Sequence, residues 1–132
     1  MSDGASRVSV LSGIRRLLVE WQQEMIREGG VIMAGRDIGS VVMPSADVKI
    51  FLTADPEIRA KRRFHKLVRK GIAVSFEEVL QDINERDLRD STRSDSPLRQ
   101  TDDALVVDTG GRSLEENVEA VLGLVKRRVF LL

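Results

Sequence analysis

Three groups of charged residues in this 132-residue chain have the types and spacing to do chemistry. The first is Arg36-Asp37, set inside the turn Gly35-Arg36-Asp37-Ile38-Gly39-Ser40. A guanidinium there can fork onto a phosphate, and a carboxylate can accept from an exocyclic amino group such as cytosine N4. Without a ligand the same pair is a structural salt bridge in a tight turn, and position alone does not separate the two readings. The second group is Arg59, Lys61, Arg62, Arg63, Lys66, Arg69 and Lys70, spaced so that several share one helical face. Such a face binds polyphosphate, or is simply solvated. RNA binding is disfavoured, because no Trp or Tyr lies nearby to stack a base. The third runs from Glu85 to Arg93, where Arg86, Asp90 and Arg93 stand four and three residues apart. At that spacing the charges form ordinary intrahelical pairs of about 0.2–0.5 kcal/mol each, or converge on a sugar and its phosphate.

The elements that must position these groups follow from periodicity and caps. Val10, Leu11, Ile14, Leu17, Leu18, Trp21 and Met25 recur at helical spacing, predicting a helix from about Ser6 to Glu28, stopped by Gly29-Gly30. The apolar run Val31-Ile32-Met33-Ala34 reads as a buried strand ending in the Arg36-Asp37 turn. After the loop Pro44-Ser45-Ala46-Asp47, a second strand is expected over Val48–Leu52. Asp55-Pro56-Glu57 combines an N-cap acid with proline at the first helical position, so the basic segment is a helix to about Lys70, ended by Gly71. Ser75 and Glu78 form a capping box opening a helix that turns Phe76, Val79, Leu80 and Ile83 inward. A third strand is expected at Ala104–Val107. A second capping box at Ser113-Leu114-Glu115-Glu116 opens a last helix with Leu114, Val118, Val121, Leu122 and Val125 as its buried face.

Strands alternating with amphipathic helices predict an α/β layer fold with a mainly parallel sheet, whose ligands lie beyond the carboxyl ends of the strands. That directs attention to the turns Gly35–Ser40 and Asp108–Gly111. Lys and Arg number 21 and so do Asp and Glu, which gives no global field for nucleic acid or an anionic membrane. No run approaches the length of a membrane span, no signal peptide is visible, and a cytoplasmic protein is the expectation. Without cysteine there is no disulfide, thiolate metal site or Cys nucleophile. His65 stands alone in the basic helix, so no metal-ligating residue is expected, and the methionines at 1, 25, 33 and 43 are read as structural or surface.

Taken together and in this order, the clusters resemble the bacterial cytidylate kinase family. The resemblance covers nearly the whole chain: Ala5-Ser6, Arg15, Gly35-Arg36-Asp37-Ile38-Gly39, Val48–Leu52, Arg59-x-x-Arg62-Arg63, Glu85-Arg86-Asp87, Asp90-Ser91-Thr92-Arg93, Pro97-Leu98 and Asp103-Ala104 leading to Asp108-Thr109. It implies the three-layer parallel α/β fold of P-loop nucleoside monophosphate kinases, with residues 1–132 as one partial domain and 59–93 as lid and nucleotide-binding helices. It implies phosphoryl transfer from ATP to CMP or dCMP, with Mg2+ between the phosphates. Ser6, Arg15 and Asp37 would read the base, Arg86 and Asp90 the sugar, and Arg36 and Arg93 the acceptor phosphate. Arg59, Arg62 and Arg63 would close over ATP, and Thr109 would lie by the adenine. One departure stands out: G-x-x-x-x-G-K-[ST], the loop that cradles the donor phosphates and supplies the magnesium-binding hydroxyl, does not occur. The chain is therefore expected to be the C-terminal portion of such an enzyme, lacking the central strand of its sheet and inactive alone. A missing N-terminal segment or a second chain would supply the loop. The alternative reading is a non-catalytic nucleotide-binding or interaction protein derived from such a kinase.

Overall fold

A computed structural model describes residue 4 and residues 7–130. Its elements are helix α1 (Ser12–Met25), a π-helical turn (Ile38–Val42), strand β1 (Ile50–Thr53), helices α2 (Pro56–Arg69) and α3 (Phe76–Thr92), strand β2 (Leu105–Asp108) and helix α4 (Leu114–Val129). The chain forms two compact units. One comprises residues 1–49 and 88–104, the other residues 50–87 and 105–132.

In the first unit, α1 is shorter than its periodicity suggests. Leu11 adopts an extended conformation (φ −77°, ψ 103°) that interrupts the helix, and the helix ends at Met25. Arg27 and Gly29 then fold back onto the carbonyls of Glu24 and Ile26. Gly29 and Gly30 have φ of +73° and +66°, a conformation that favours glycine, and so form the turn after the helix. The expected strand at residues 31–34 does not form. A strand persists only where a neighbour takes up its backbone groups. Among the described residues none runs beside this stretch, and Ile32 is 101% exposed. Beyond it the chain winds into the π-helical turn, where Met43 N–H reaches the Ile38 carbonyl at 2.6 Å. Val42, the last residue of that turn, is buried, and Gln23 of α1 donates to the Val41 carbonyl at 3.1 Å.

The second unit holds the strand pair. β1 and β2 run parallel, with Ile50 opposite Leu105 and Thr53 opposite Asp108. Two strands are present among the described residues where three were expected, and each starts one or two residues later than its apolar run. The α2–α3 hairpin carries the clearest core. Ala60, Val79 and Ile83 are buried, with Phe64, Leu67, Val74, Phe76 and Leu80 packed around them. Phe64 meets Phe76 edge-on at 6.3 Å between ring centroids. The inward face assigned to α3 is thus the one that packs. Its caps are also as expected: Asp55 accepts from Glu57 N–H at 2.8 Å, and Ser75 and Glu78 satisfy each other's backbone donors.

Helix α4 corrects a further expectation. Its capping box at Ser113 and Glu116 forms in full, but Leu114, Val118 and Leu122 are exposed rather than buried. The reason lies in what covers the stripe. Leu114, Val118 and Leu122 follow one another at four-residue steps along one edge of it, while Val121 and Val125 on the other edge are half-buried. The strand pair on which α4 packs therefore covers one edge of the stripe only.

Candidate functional site

The π-helical turn places Asp37. Its carbonyl accepts from the N–H groups of Val41 (2.9 Å) and Val42 (3.2 Å), fixing the backbone from which the carboxylate projects. A Cβ on Gly35 would stand 2.8 Å from the Ile38 side chain, which would have to shift to admit a larger residue there. The Asp37 carboxylate is buried (5% for the residue) and forms a close ion pair with Arg15 from α1.

Arg93 connects Asp37 to a second acid. Its Nη2 lies 3.9 Å from Asp37 Oδ1, and its Nη1 lies 3.6 Å from Asp90 Oδ1. Asp90 in turn holds Arg36, whose Nε is 3.3 Å from Oδ2. The remaining faces of the Arg93 guanidinium are also engaged, with Nε donating to the Ser96 carbonyl at 2.7 Å and Nη1 to Ser9 Oγ at 3.4 Å. Among the described residues, three guanidiniums and two carboxylates, all in the first unit, form one connected cluster whose five charges sum to one positive surplus.

That surplus sits where charge is costly. Burial presses the Arg93 guanidinium below its ordinary pKa, the Arg15 charge adds to the shift, and Asp37 and Asp90 oppose it only in part. A cation whose folded pKa is lowered is one whose charged form the fold disfavours. Arginine nevertheless keeps its proton. An entering anion relieves the strain directly, and an anion that also offers hydrogen-bond donors can engage the two carboxylates.

The second unit gathers the basic helix residues differently. Arg59 pairs with Asp87 (2.7 Å) and donates to the Ala54 carbonyl (3.0 Å). Arg62 donates to Thr109 Oγ1 at 3.1 Å and closely to its carbonyl. Arg63 stands 3.9 Å from Asp82. Thr109 is anchored in turn, its N–H and Oγ1 both bonded to the Thr53 carbonyl at the end of β1. In the loop beyond, Gly110 N–H donates to Asp108 Oδ1 at 2.8 Å.

Of the residues singled out by sequence, Arg15, Arg36, Asp37, Asp90 and Arg93 come together in the first unit, and Arg62 and Thr109 in the second. Arg86 is half-buried on α3, four residues before Asp90 and within the second unit. Ser6 lies outside the described residues. Two members of the cluster went unnoticed in the sequence. Ser9 is a lone hydroxyl among Val8, Val10 and Leu11, a signal that was available. Ser96 contributes only a backbone carbonyl, which no side-chain pattern reveals.

Chemically this is an α/β chain, with a parallel strand pair and a largely buried cluster of three arginines and two aspartates. Comparison with known proteins makes the assignment specific. The chain matches the cytidylate kinase family over residues 1–127 and belongs to that family. It is 54% identical to the cytidylate kinase of Parabacteroides distasonis over 116 residues, covering 88% of this chain and 51% of that protein. It is 48% identical to the cytidylate kinase of Carboxydothermus hydrogenoformans over 128 residues (97% and 58%), and 42% identical to that of Clostridium botulinum over 127 (96% and 58%). The chain thus spans about half the length of the curated relatives it matches. Among its described residues no helix is long and apolar enough to cross a membrane.

Proposed function

We propose that this chain is the acceptor-binding part of an enzyme that transfers a phosphoryl group from ATP to CMP or dCMP, giving CDP or dCDP. The observation that carries the reading is the Arg15–Asp37–Arg93–Asp90–Arg36 cluster, with Asp37, Asp90 and Arg93 buried and a positive surplus among its charges, in a chain of this family. Arg36 and Arg93 take the acceptor phosphate, whose charge offsets the surplus. Asp37 accepts from the N4 amino group of cytosine and repels the O4 of uracil. Arg15, and Ser6 beyond the described residues, complete the reading of the base. Arg86 and Asp90 bind the sugar through its 3′-hydroxyl, which admits the deoxy nucleotide.

Arg59, Arg62 and Arg63 are assigned to the ATP phosphates, and Thr109 to the region of the adenine. Their present partners are carboxylates and carbonyls that a triphosphate competes with on favourable terms, because Arg–phosphate forks are among the stronger charge-assisted bonds. A phosphate oxygen of CMP attacks the γ-phosphorus in line, and the bond to the departing ADP oxygen breaks as the new one forms, with no covalent enzyme intermediate. The family also implies Mg2+. Such an ion is held mainly through the nucleotide phosphates and needs few protein ligands, and among the described residues no three acidic or histidine side chains gather into an all-protein site for it.

The wider fold and the location belong to the same proposal. The parallel pair is part of a larger three-layer sheet of the P-loop kinase type, and the protein works in the cytoplasm. Since the 132 residues contain no G-x-x-x-x-G-K-[ST], the chain by itself binds CMP without turning it over. Calorimetric titration of the chain with CMP, UMP and ATP tests this. Saturable binding of CMP in preference to UMP is expected, and equal or absent binding of both removes the cluster from the acceptor role.

A further inference from the structure

The Arg93 guanidinium is held from behind by an unusual piece of backbone. Among the described residues, Ser96 is the one non-glycine residue with positive φ, at +50°. The preference against that conformation is doubled here, because Pro97 follows and a residue before proline is pushed toward extended backbone. Strain of this kind persists only where the surroundings over-determine it. Two bonds do so: Arg93 Nε donates to the Ser96 carbonyl at 2.7 Å, and Leu98 N–H donates to the Asp90 carbonyl at 2.7 Å, closing the chain back onto the end of α3.

The consequence is geometric. A guanidinium has one Nε–H edge and two Nη groups in a fixed plane. With Nε committed to Ser96, the plane of Arg93 is set, and its Nη groups are delivered to Asp37, Asp90 and Ser9. An arginine lacking that rear bond would keep more rotamer freedom to lose on meeting an anion. We propose that Ser96 is a positioning residue for the acceptor phosphate. Its left-handed backbone, rather than its hydroxyl, orients Arg93 and thereby sets the affinity for the nucleotide. This inference rests on the reading of the cluster as the CMP site.

The test compares Ser96→Gly, Ser96→Val and Ser96→Pro in the 132-residue chain, with CMP as probe. Glycine takes positive φ freely, a β-branched residue resists it, and proline forbids it. CMP affinity by calorimetry should be unchanged or improved in Ser96→Gly. It should fall about tenfold or more in Ser96→Val and Ser96→Pro, the scale of one hydrogen bond to a charged group. The second readout is the Arg93 Nε–H resonance in a 1H–15N spectrum, assigned by its absence in Arg93→Lys. It should be protected in the wild type and in Ser96→Gly, and lost to exchange in Ser96→Val. Should Ser96→Pro fail to fold, the valine and glycine variants carry the comparison. Wild-type CMP binding with undiminished affinity in Ser96→Val would overturn the positioning role and leave the CMP reading standing. A wild-type chain that binds no CMP would overturn both.

Discussion

Replacing Asp37 by Asn keeps the volume of the side chain and removes one charge from the buried cluster, so three observables should move in different directions. The first is stability. The side chains of Asp37, Arg15 and Arg93 are only 6%, 12% and 3% exposed, so solvent screens little of what is lost. Removing one partner of a buried pair costs about 3–5 kcal/mol, and the amide, which still accepts a bond, belongs near the lower end. For a chain of this size about 3 kcal/mol corresponds to a drop in Tm on the order of 10 °C. The second observable is base discrimination. The carboxylate favours the N4 amino group and repels O4, whereas an amide can donate to O4. The ratio of CMP to UMP affinity should therefore fall by about 1–3 kcal/mol, roughly tenfold or more. The third is inorganic phosphate, which should bind more tightly at low salt because the surplus rises from one positive charge to two, an advantage that added salt screens. Thermal scanning with and without phosphate, followed by titration with both nucleotides, measures all three. An unchanged CMP to UMP ratio would take the base-reading role from Asp37. Weaker phosphate binding would refute the assignment of the cluster as an anion site.

Arg36→Ala should weaken CMP and UMP alike in the same titrations, since a phosphate contact carries no base identity. A base-dependent loss would reassign Arg36. Ser113→Ala should cost about 1 kcal/mol in a denaturant titration, because it removes the acceptor for Glu116 N–H (3.2 Å) from a cap that forms in full. Asp103 is held below its ordinary carboxyl pKa, first by the hydrogen bond from Lys49 Nζ (2.6 Å) and then by Thr101. A lowered carboxyl pKa adds stability above the unfolded-state value of about 4, and that stability is lost as pH falls through the folded-state value. Asp103→Asn should accordingly flatten the acid limb of a stability–pH curve while leaving the alkaline side with its slope unchanged.

The parts of this molecule legible in its sequence are those that local chemistry specifies. Asp55-Pro56-Glu57, Ser75 with Glu78 and Ser113 with Glu116 each contain the donor, the acceptor and the spacing within four residues, and all three caps form. The α3 face is legible for a similar reason, as Phe76, Val79, Leu80 and Ile83 meet α2 across a short connection. Val31–Ala34 failed as a strand because strand formation depends on a neighbour, which the apolar run itself cannot provide. The stripe on α4 failed likewise, its burial being decided by how much of it the strand pair covers rather than by its own period. In the site, the arginines and aspartates were found by type and order. Their convergence on Arg93 was not, because the Ser9 and Ser96 contacts depend on a turn whose conformation the residue types oppose.

The apolar face of α1 gives the protein an optical property. Trp21 is the chain's one tryptophan, it is 57% exposed, and it lies on the helix that supplies Arg15 to the cluster. Indole emission in this protein therefore reports on α1, in the first unit. It should begin red-shifted and shift to the blue when anything settles over α1. A fluorescence melt and a far-ultraviolet dichroism melt of this chain should part company wherever the two units lose structure at different temperatures.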